Sequence, residues 1–220
     1  MNPLKAKRLF LVPMTDEELL SLSENHPDPE LRQAYREMLD GCRKGPKTRL
    51  WYTAWKICLL GGVCIGDAGF KGPPQNGAVE IGYGVDAAYR NQGYTTEAVE
   101  RLMRWAFAQK DVYFIEAETE PNNAASQRVL QKLGFTPFGQ GEEGPRFEKE
   151  RPDKSEDHSS FFCIGTGLGV AVGVSTGNLG LWLPIGVAIG LCLGSTDRAE
   201  NAKKRKTFRA ARIAAQKHSN

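Results

Sequence analysis

The stretch Val85-Asp86-Ala87-Ala88-Tyr89-Arg90-Asn91-Gln92-Gly93-Tyr94-Thr95-Thr96-Glu97-Ala98 decides the fold. An apolar strand ends at Val85, a polar loop containing one glycine follows, and helical periodicity begins at Thr95. The first turn of a helix presents backbone N–H groups with no intrahelical partner at the positive end of the helix dipole, so this strand, loop and helix form a ready anion site. Gly93 permits close approach of a phosphate, and Arg90 can add charge. The plain alternative makes Thr95 or Thr96 an N-cap and Arg90 a surface residue.

Outward from this stretch the periodicities alternate. On the N-terminal side, Leu9–Val12 reads as a strand, and Thr15-Asp16-Glu17-Glu18 as a capping box opening a helix through Leu22. A second helix is predicted from about Asp28 to Cys42, with Leu31, Tyr35, Met38 and Leu39 on one side. Strands follow over Leu50–Cys58, Val63–Phe70 and Val79–Val85, broken by Gly61-Gly62 and by the Gly-Pro-Pro-Gln-Asn-Gly turn at 72–77. On the C-terminal side come a helix to about Gln109, a strand Val112–Thr119, a helix Asn123–Leu133 closed by Gly134, and a last strand from Phe135. This order predicts an α+β fold with a mixed central sheet flanked by helices, because the strand–helix–strand crossover near 79–119 implies a parallel pair. Residues 142–157, with almost no apolar content, read as a solvated linker.

Two motifs resemble the GNAT superfamily of acetyl-coenzyme A-dependent N-acetyltransferases. Arg90-x-x-Gly93-x-Thr95 is similar to its Q/R-x-x-G-x-G/A signature, with threonine at the last small position. Asn122-Asn123-Ala124-Ala125-Ser126 through Lys132-Leu133-Gly134-Phe135 resembles the later N-x-x-S and K-x-G-F motif. The resemblance covers roughly residues 8–150, and Glu80-Ile81-Gly82-Tyr83 is similar to the branch acting on ribosomal proteins and small amines.

What the resemblance implies is a splay between the strands Val79–Val85 and Val112–Thr119, with the pantetheine arm of acetyl-CoA pairing near Gly84 and Val85. The pyrophosphate would rest on the amides of Gln92, Gly93, Tyr94, Thr95 and Thr96 beside Arg90, with Asn123 and Ser126 near the thioester. Acetyl transfer to a primary amine, on a protein N-terminus or a small molecule, needs a base for the ammonium and an acid for the thiolate. Glu80 is the favoured base and Glu118 the reserve. The tyrosine that many GNAT enzymes place four residues after the motif serine is Leu130 here, leaving Ser126 or water as acid. A noncatalytic coenzyme A-binding sensor or membrane assembly protein is the competing reading.

Bulk properties narrow the classes. The formal charge of +3 is concentrated in the last twenty residues, which gives no argument for a nucleic-acid surface. Five cysteines without a C-x-x-C pair and three scattered histidines predict neither a disulfide framework nor a metal site. Cys58 and Cys64 read as buried structural residues rather than nucleophiles, and a reducing cytoplasm is the expected compartment.

The C-terminal third differs. No charge occurs over 159–196, and glycines fall at 165, 169, 173 and 177, then at 186, 190 and 194. On a helix this spacing forms one glycine stripe, suited to close helix pairing in a membrane and to self-association. In water each such glycine costs roughly 1 kcal/mol against alanine. The expectation is an acetyltransferase domain over 1–150, a charged linker over 151–158, an apolar glycine-zipper hairpin over 159–196 (Phe161–Thr176 out, Leu179–Gly194 back) and a basic tail over 197–220. With Lys203 to Lys206 held cytoplasmic, the catalytic domain would attach to the inner face of a membrane.

Overall fold

The computed structural model describes residues 2–152 and 159–218, which divide into two compact units, Met1–Arg151 and Pro152–Asn220. In the first unit the elements run β1 (Leu4–Lys5), β2 (Leu9–Pro13), α1 (Asp16–Asn25), α2 (Pro29–Lys44), α3 (Arg49–Tyr52), β3 (Trp55–Leu59), β4 (Cys64–Phe70), β5 (Ala78–Val85), α4 (Tyr94–Phe107), β6 (Phe114–Glu118), α5 (Ala124–Lys132), β7 (Thr136–Gln140) and β8 (Pro145–Glu150). The strands form one mixed eight-stranded sheet in the order β1-β2-β3-β4-β5-β6-β8-β7, in which β5 and β6 are the parallel pair.

Local chemistry accounts for the helix boundaries. Thr15 and Glu18 complete a capping box at the start of α1, and Asp28 caps α2 by accepting from the Glu30 amide. The buried stripe of α4, Ala98, Val99, Leu102, Met103 and Ala106, packs with Ile81, Val85 and Ile115 of the sheet. A second cluster, Met14, Leu19, Tyr35, Leu39, Cys42 and Ala54, seats α1 and α2.

Three sequence expectations for the first unit need correction. Leu50–Tyr52 belongs to a short helix, because Pro46–Thr48 forms a 3-10 turn that feeds directly into it; the strand starts only at Trp55. Residues 145–150 are a strand rather than linker. β8 lies between β6 and β7 and buries Phe147 and Glu148 (7% and 3% exposed), yet its Arg, Glu and Lys content hides the alternation. Cys58 and Cys64 are joined by a disulfide, since the Gly61-Gly62 turn sets them directly opposite each other on β3 and β4 with Cα atoms 3.8 Å apart. Of the linker expected over 151–158, residues 153–158 lie outside the described residues.

The second unit contains two helices, α6 (Ser159–Thr176) and α7 (Leu179–His218), joined at Gly177 (φ 70°) and Asn178, whose side chain accepts from the Leu181 amide. The tail expected as a separate segment continues α7. The glycine stripes face each other within this hairpin: a Cβ built at Gly165 would collide with the Gly186 carbonyl and Gly190, and one at Gly169 with the Trp182 carbonyl. Glycine at these positions lets the two backbones touch, and Ile164, Leu168, Val174 and Leu181 are left exposed. Among the described residues, no helix is long and apolar enough to cross a membrane. The expected membrane hairpin therefore finds no support, since the arms are short and a glycine at every fourth position contributes no apolar side chain.

Candidate active site

β5 and β6 begin as hydrogen-bonded partners and then part. Their register runs Ala78↔Phe114, Val79↔Ile115 and Glu80↔Glu116, where the pairing stops, although β5 continues to Val85 and β6 to Glu118. Among the described residues, the β6-facing edge of Ile81–Val85 is thereby left without a strand partner, while its other edge stays paired with β4, Asp67 opposite Gly84 and Gly66 opposite Val85. An unpaired strand edge offers N–H and C=O groups to an extended ligand.

The loop after β5 ends in two left-handed residues, Asn91 (φ 62°) and Gly93 (φ 80°). Gly93 is the N-cap of α4, and no side chain caps that helix. The first amide to return a bond is that of Glu97, to the Gly93 carbonyl at 3.1 Å. The N–H groups of Gly93, Tyr94, Thr95 and Thr96 carry no intramolecular partner among the described residues. They form a nest suited to an anion. Arg90 closes the loop by donating from Nε to the Val85 carbonyl at 3.1 Å, and Gln92 donates its side-chain amide to the Ala88 carbonyl.

Sequence reasoning missed Arg8, 84 residues before Gln92. Its guanidinium donates to the Gln92 carbonyl at 3.2 Å, pairs with Glu97 at 2.8 Å and lies 4.5 Å from the centre of the Tyr94 ring. A cation is thus fixed beside the open amides; only the fold shows this, because an arginine beside a strand start carries no motif.

Across the divergence, Tyr83 of β5 and Ser126 of α5 bring their hydroxyls to 2.9 Å. Burial pushes the Tyr83 phenol above its ordinary range, and the Ser126 hydrogen bond partly offsets this. Asn123 caps α5 by accepting the Ser126 amide at 3.0 Å, which fixes Ser126 in the first turn. Leu130, standing where the tyrosine was missing, is fully buried core.

The two candidate bases have different surroundings. Glu80 sits at the point where β5 and β6 part, its side chain 20% exposed and paired with Lys71 at 2.5 Å. Glu118 is 4% exposed in its side chain and accepts from the Glu143 and Gly144 amides at 2.5 and 3.0 Å and from Arg146 at 3.2 Å. Burial alone would raise its carboxyl, but these donors hold it below the ordinary carboxylate value of 4.5. The fold employs Glu118 as an anchor for the turn between β7 and β8.

A carboxyl held low in the folded state stabilises it above the unfolded pKa and loses that contribution as pH falls through the folded value. Glu118→Gln should therefore lower stability by about 1–3 kcal/mol at pH 7. Thermal unfolding of both proteins from pH 7 to pH 3 checks this, the gap closing below about pH 4.5.

The sequence family described as the acetyltransferase (GNAT) domain matches residues 8–136. The chain is 42% identical over 72 residues to the uncharacterized N-acetyltransferase YjdG of Bacillus subtilis, a match covering 32% of this chain and 43% of that protein. It is 44% identical over 55 residues to the probable N-acetyltransferase YjcK of the same organism, covering 25% and 30%. The chain thus spans less than half the length of these curated relatives. Its fold is similar to that of the ribosomal-protein-S5-alanine acetyltransferase of Vibrio fischeri (TM-score 0.54, 16% identity, 70% of this chain and 98% of that one). The ribosomal L7/L12 alpha-N-protein acetyltransferase RimL in complex with coenzyme A is comparably similar (TM-score 0.54, 17% identity, 68% and 98%).

Parted strands beside an uncapped helix start, on a mixed sheet flanked by helices, define the class as an acetyltransferase fold. With the family match extending over more than half of its residues, the chain belongs to the GNAT acetyltransferase family.

Proposed function

We propose that the protein transfers an acetyl group from acetyl-CoA directly to a primary amine, on a protein N-terminus or a small molecule, in the cytoplasm where that cosubstrate is made. The observation that carries this reading is the end of β5–β6 pairing at Glu80, next to a helix start whose amides are free. In this assignment the pantetheine arm runs along the open edge of Ile81–Val85, near Gly84 and Val85. Its pyrophosphate rests on the amides of Gln92, Gly93, Tyr94, Thr95 and Thr96, with Arg8 and Arg90 adding positive charge. Asn123 acts through Ser126, as a positioning residue.

Glu80 takes a proton from the ammonium, directly or through one water, and the freed nitrogen lone pair forms the bond to the thioester carbon. The C–S bond breaks, and the electron pair leaves on sulfur. The Tyr83–Ser126 hydroxyl pair gives a proton to that thiolate, the role for which Leu130 is unsuited. The nitrogen sheds its second proton through water to restore the hydroxyl pair, and Glu80 passes its own proton to solvent. Alternation along β5 sets Glu80 and Tyr83 on opposite faces of the sheet, so base and acid lie on the two sides of a ligand threaded between the strands. Cys58 and Cys64 are bonded to each other, which supports direct transfer over a cysteine-bound intermediate.

The test is calorimetric titration with coenzyme A, followed by acetyl-CoA turnover on an amine panel of spermidine, free amino acids and peptides with N-terminal alanine or serine. Micromolar binding with turnover of at least one amine is expected. Binding without turnover of any of them favours the sensor reading, and absence of binding overturns the assignment.

A further inference from the structure

We propose that Asp67 is the carboxylate that seats a cationic group of the amine acceptor, an assignment that rests on the acetyl-transfer reading above. In β4 and β5 the pairs Asp67↔Gly84 and Gly69↔Gly82 share one sheet face, and Glu80 follows in phase with Gly82 and Gly84. This face carries α2, as the Tyr35 hydroxyl donates to Asp67 Oδ2 at 2.6 Å; Tyr83, one residue out of phase, reaches α5 on the other. A Cβ built at Gly82 or Gly84 would meet nothing within 4 Å. The sheet therefore has a shallow trough on its α2 side, floored by glycine, with the proposed base Glu80 at one end and Asp67 at the wall of the other.

Asp67 differs from the carboxylates around it. Glu80 has Lys71, Glu97 has Arg8, and Glu118 has Arg146. Asp67 has no lysine or arginine within ion-pair distance among the described residues, and its hydrogen-bond partner there is the Tyr35 hydroxyl. Burial raises its carboxyl above the ordinary range despite the Tyr35 bond. Lys56 stands opposite Asp67 on β3, but its ammonium is taken by Glu18. His26, whose ring is 5.8 Å from that of Tyr35, attracts the Asp67 charge, and Asp86 repels it. A desolvated carboxylate without a counter-ion is costly to keep, and a ligand ammonium delivered into the trough would supply one. Asp67 thereby selects acceptors by charge, while Glu80 acts on the nitrogen that reacts.

The experiment uses the full chain and the best acceptor among spermidine, free amino acids and peptides with N-terminal alanine or serine. Asp67→Asn should raise the KM for that amine by about 10- to 100-fold. It should leave the KM for acetyl-CoA and the coenzyme A affinity within about twofold, because the carboxylate is on the far side of β5 from the open edge. Asp67→Glu should recover most of the amine KM. The midpoint of thermal unfolding should stay level or rise in Asp67→Asn, where an uncompensated charge is removed, whereas a purely structural role would lower it. If the asparagine variant does not fold, Asp67→Ser takes its place with the same expected split. An unchanged amine KM, or parallel loss of coenzyme affinity, overturns the assignment of Asp67 alone. Absence of turnover by the wild-type chain overturns the acetyl-transfer reading itself, and this assignment with it.

Discussion

Gly93→Val should reduce coenzyme A affinity at least about 100-fold, the sum of two unfavourable effects at one residue. Gly93 holds φ 80°, where an L-residue costs about 1–2 kcal/mol and a β-branched one more. A Cβ there would stand 3.4 Å from Arg8 Nη2, an ordinary contact, so the added bulk acts on the ligand side and not on the cation. Two further methyl carbons would then occupy the space through which a phosphate oxygen approaches the amides of Tyr94 to Thr96. Strain alone would appear as a lower thermal midpoint; lost binding with only modest destabilisation identifies the approach itself as blocked. Calorimetric titration separates the two. Affinity within threefold of wild type would show that the diphosphate does not rest on this helix start.

Glu80→Gln should lower kcat by about 10²–10⁴-fold, the range for removal of a general base, with coenzyme A affinity nearly unchanged. The substitution keeps shape and removes charge at the place where β5 and β6 part. Because Glu80 also pairs with Lys71, Lys71→Met is the informative companion: it removes the ion pair but keeps the carboxylate. If proton acceptance matters, the lysine variant retains far more activity than the glutamine variant; equal losses in the two would assign Glu80 to structure. A kcat within threefold of wild type for Glu80→Gln would move the base elsewhere.

Much of the fold is written locally. The capping box at Thr15 and Glu18, the helix start near Asp28 and the Gly134 stop are signals spanning only a few residues, and each recurs in the structure. The loop ending at Gly93 and the helix start after it were legible for the same reason. What escaped is what depends on partners distant in sequence. Arg8 joins the loop from 84 residues away, and Tyr83 meets Ser126 across 43 residues. Asp67 on a strand has no signature until Tyr35 and the glycine floor are seen around it. The strand over Pro145–Glu150 was disguised by its charges, since Phe147 is its one large apolar residue and Glu118 anchors the turn before it.

That late strand also constrains how the molecule is made. β8 sits between β6 and β7, so the last segment of the sheet to leave the ribosome is an interior one. While residues 145–150 remain in the exit tunnel, Phe114–Glu118 has a hydrogen-bonded neighbour only on the β5 side, and only as far as Glu116. Folding of this unit must wait for nearly all of its chain, and nascent products cut short in that interval would carry a bare β6 edge available to the same edge of another truncated chain.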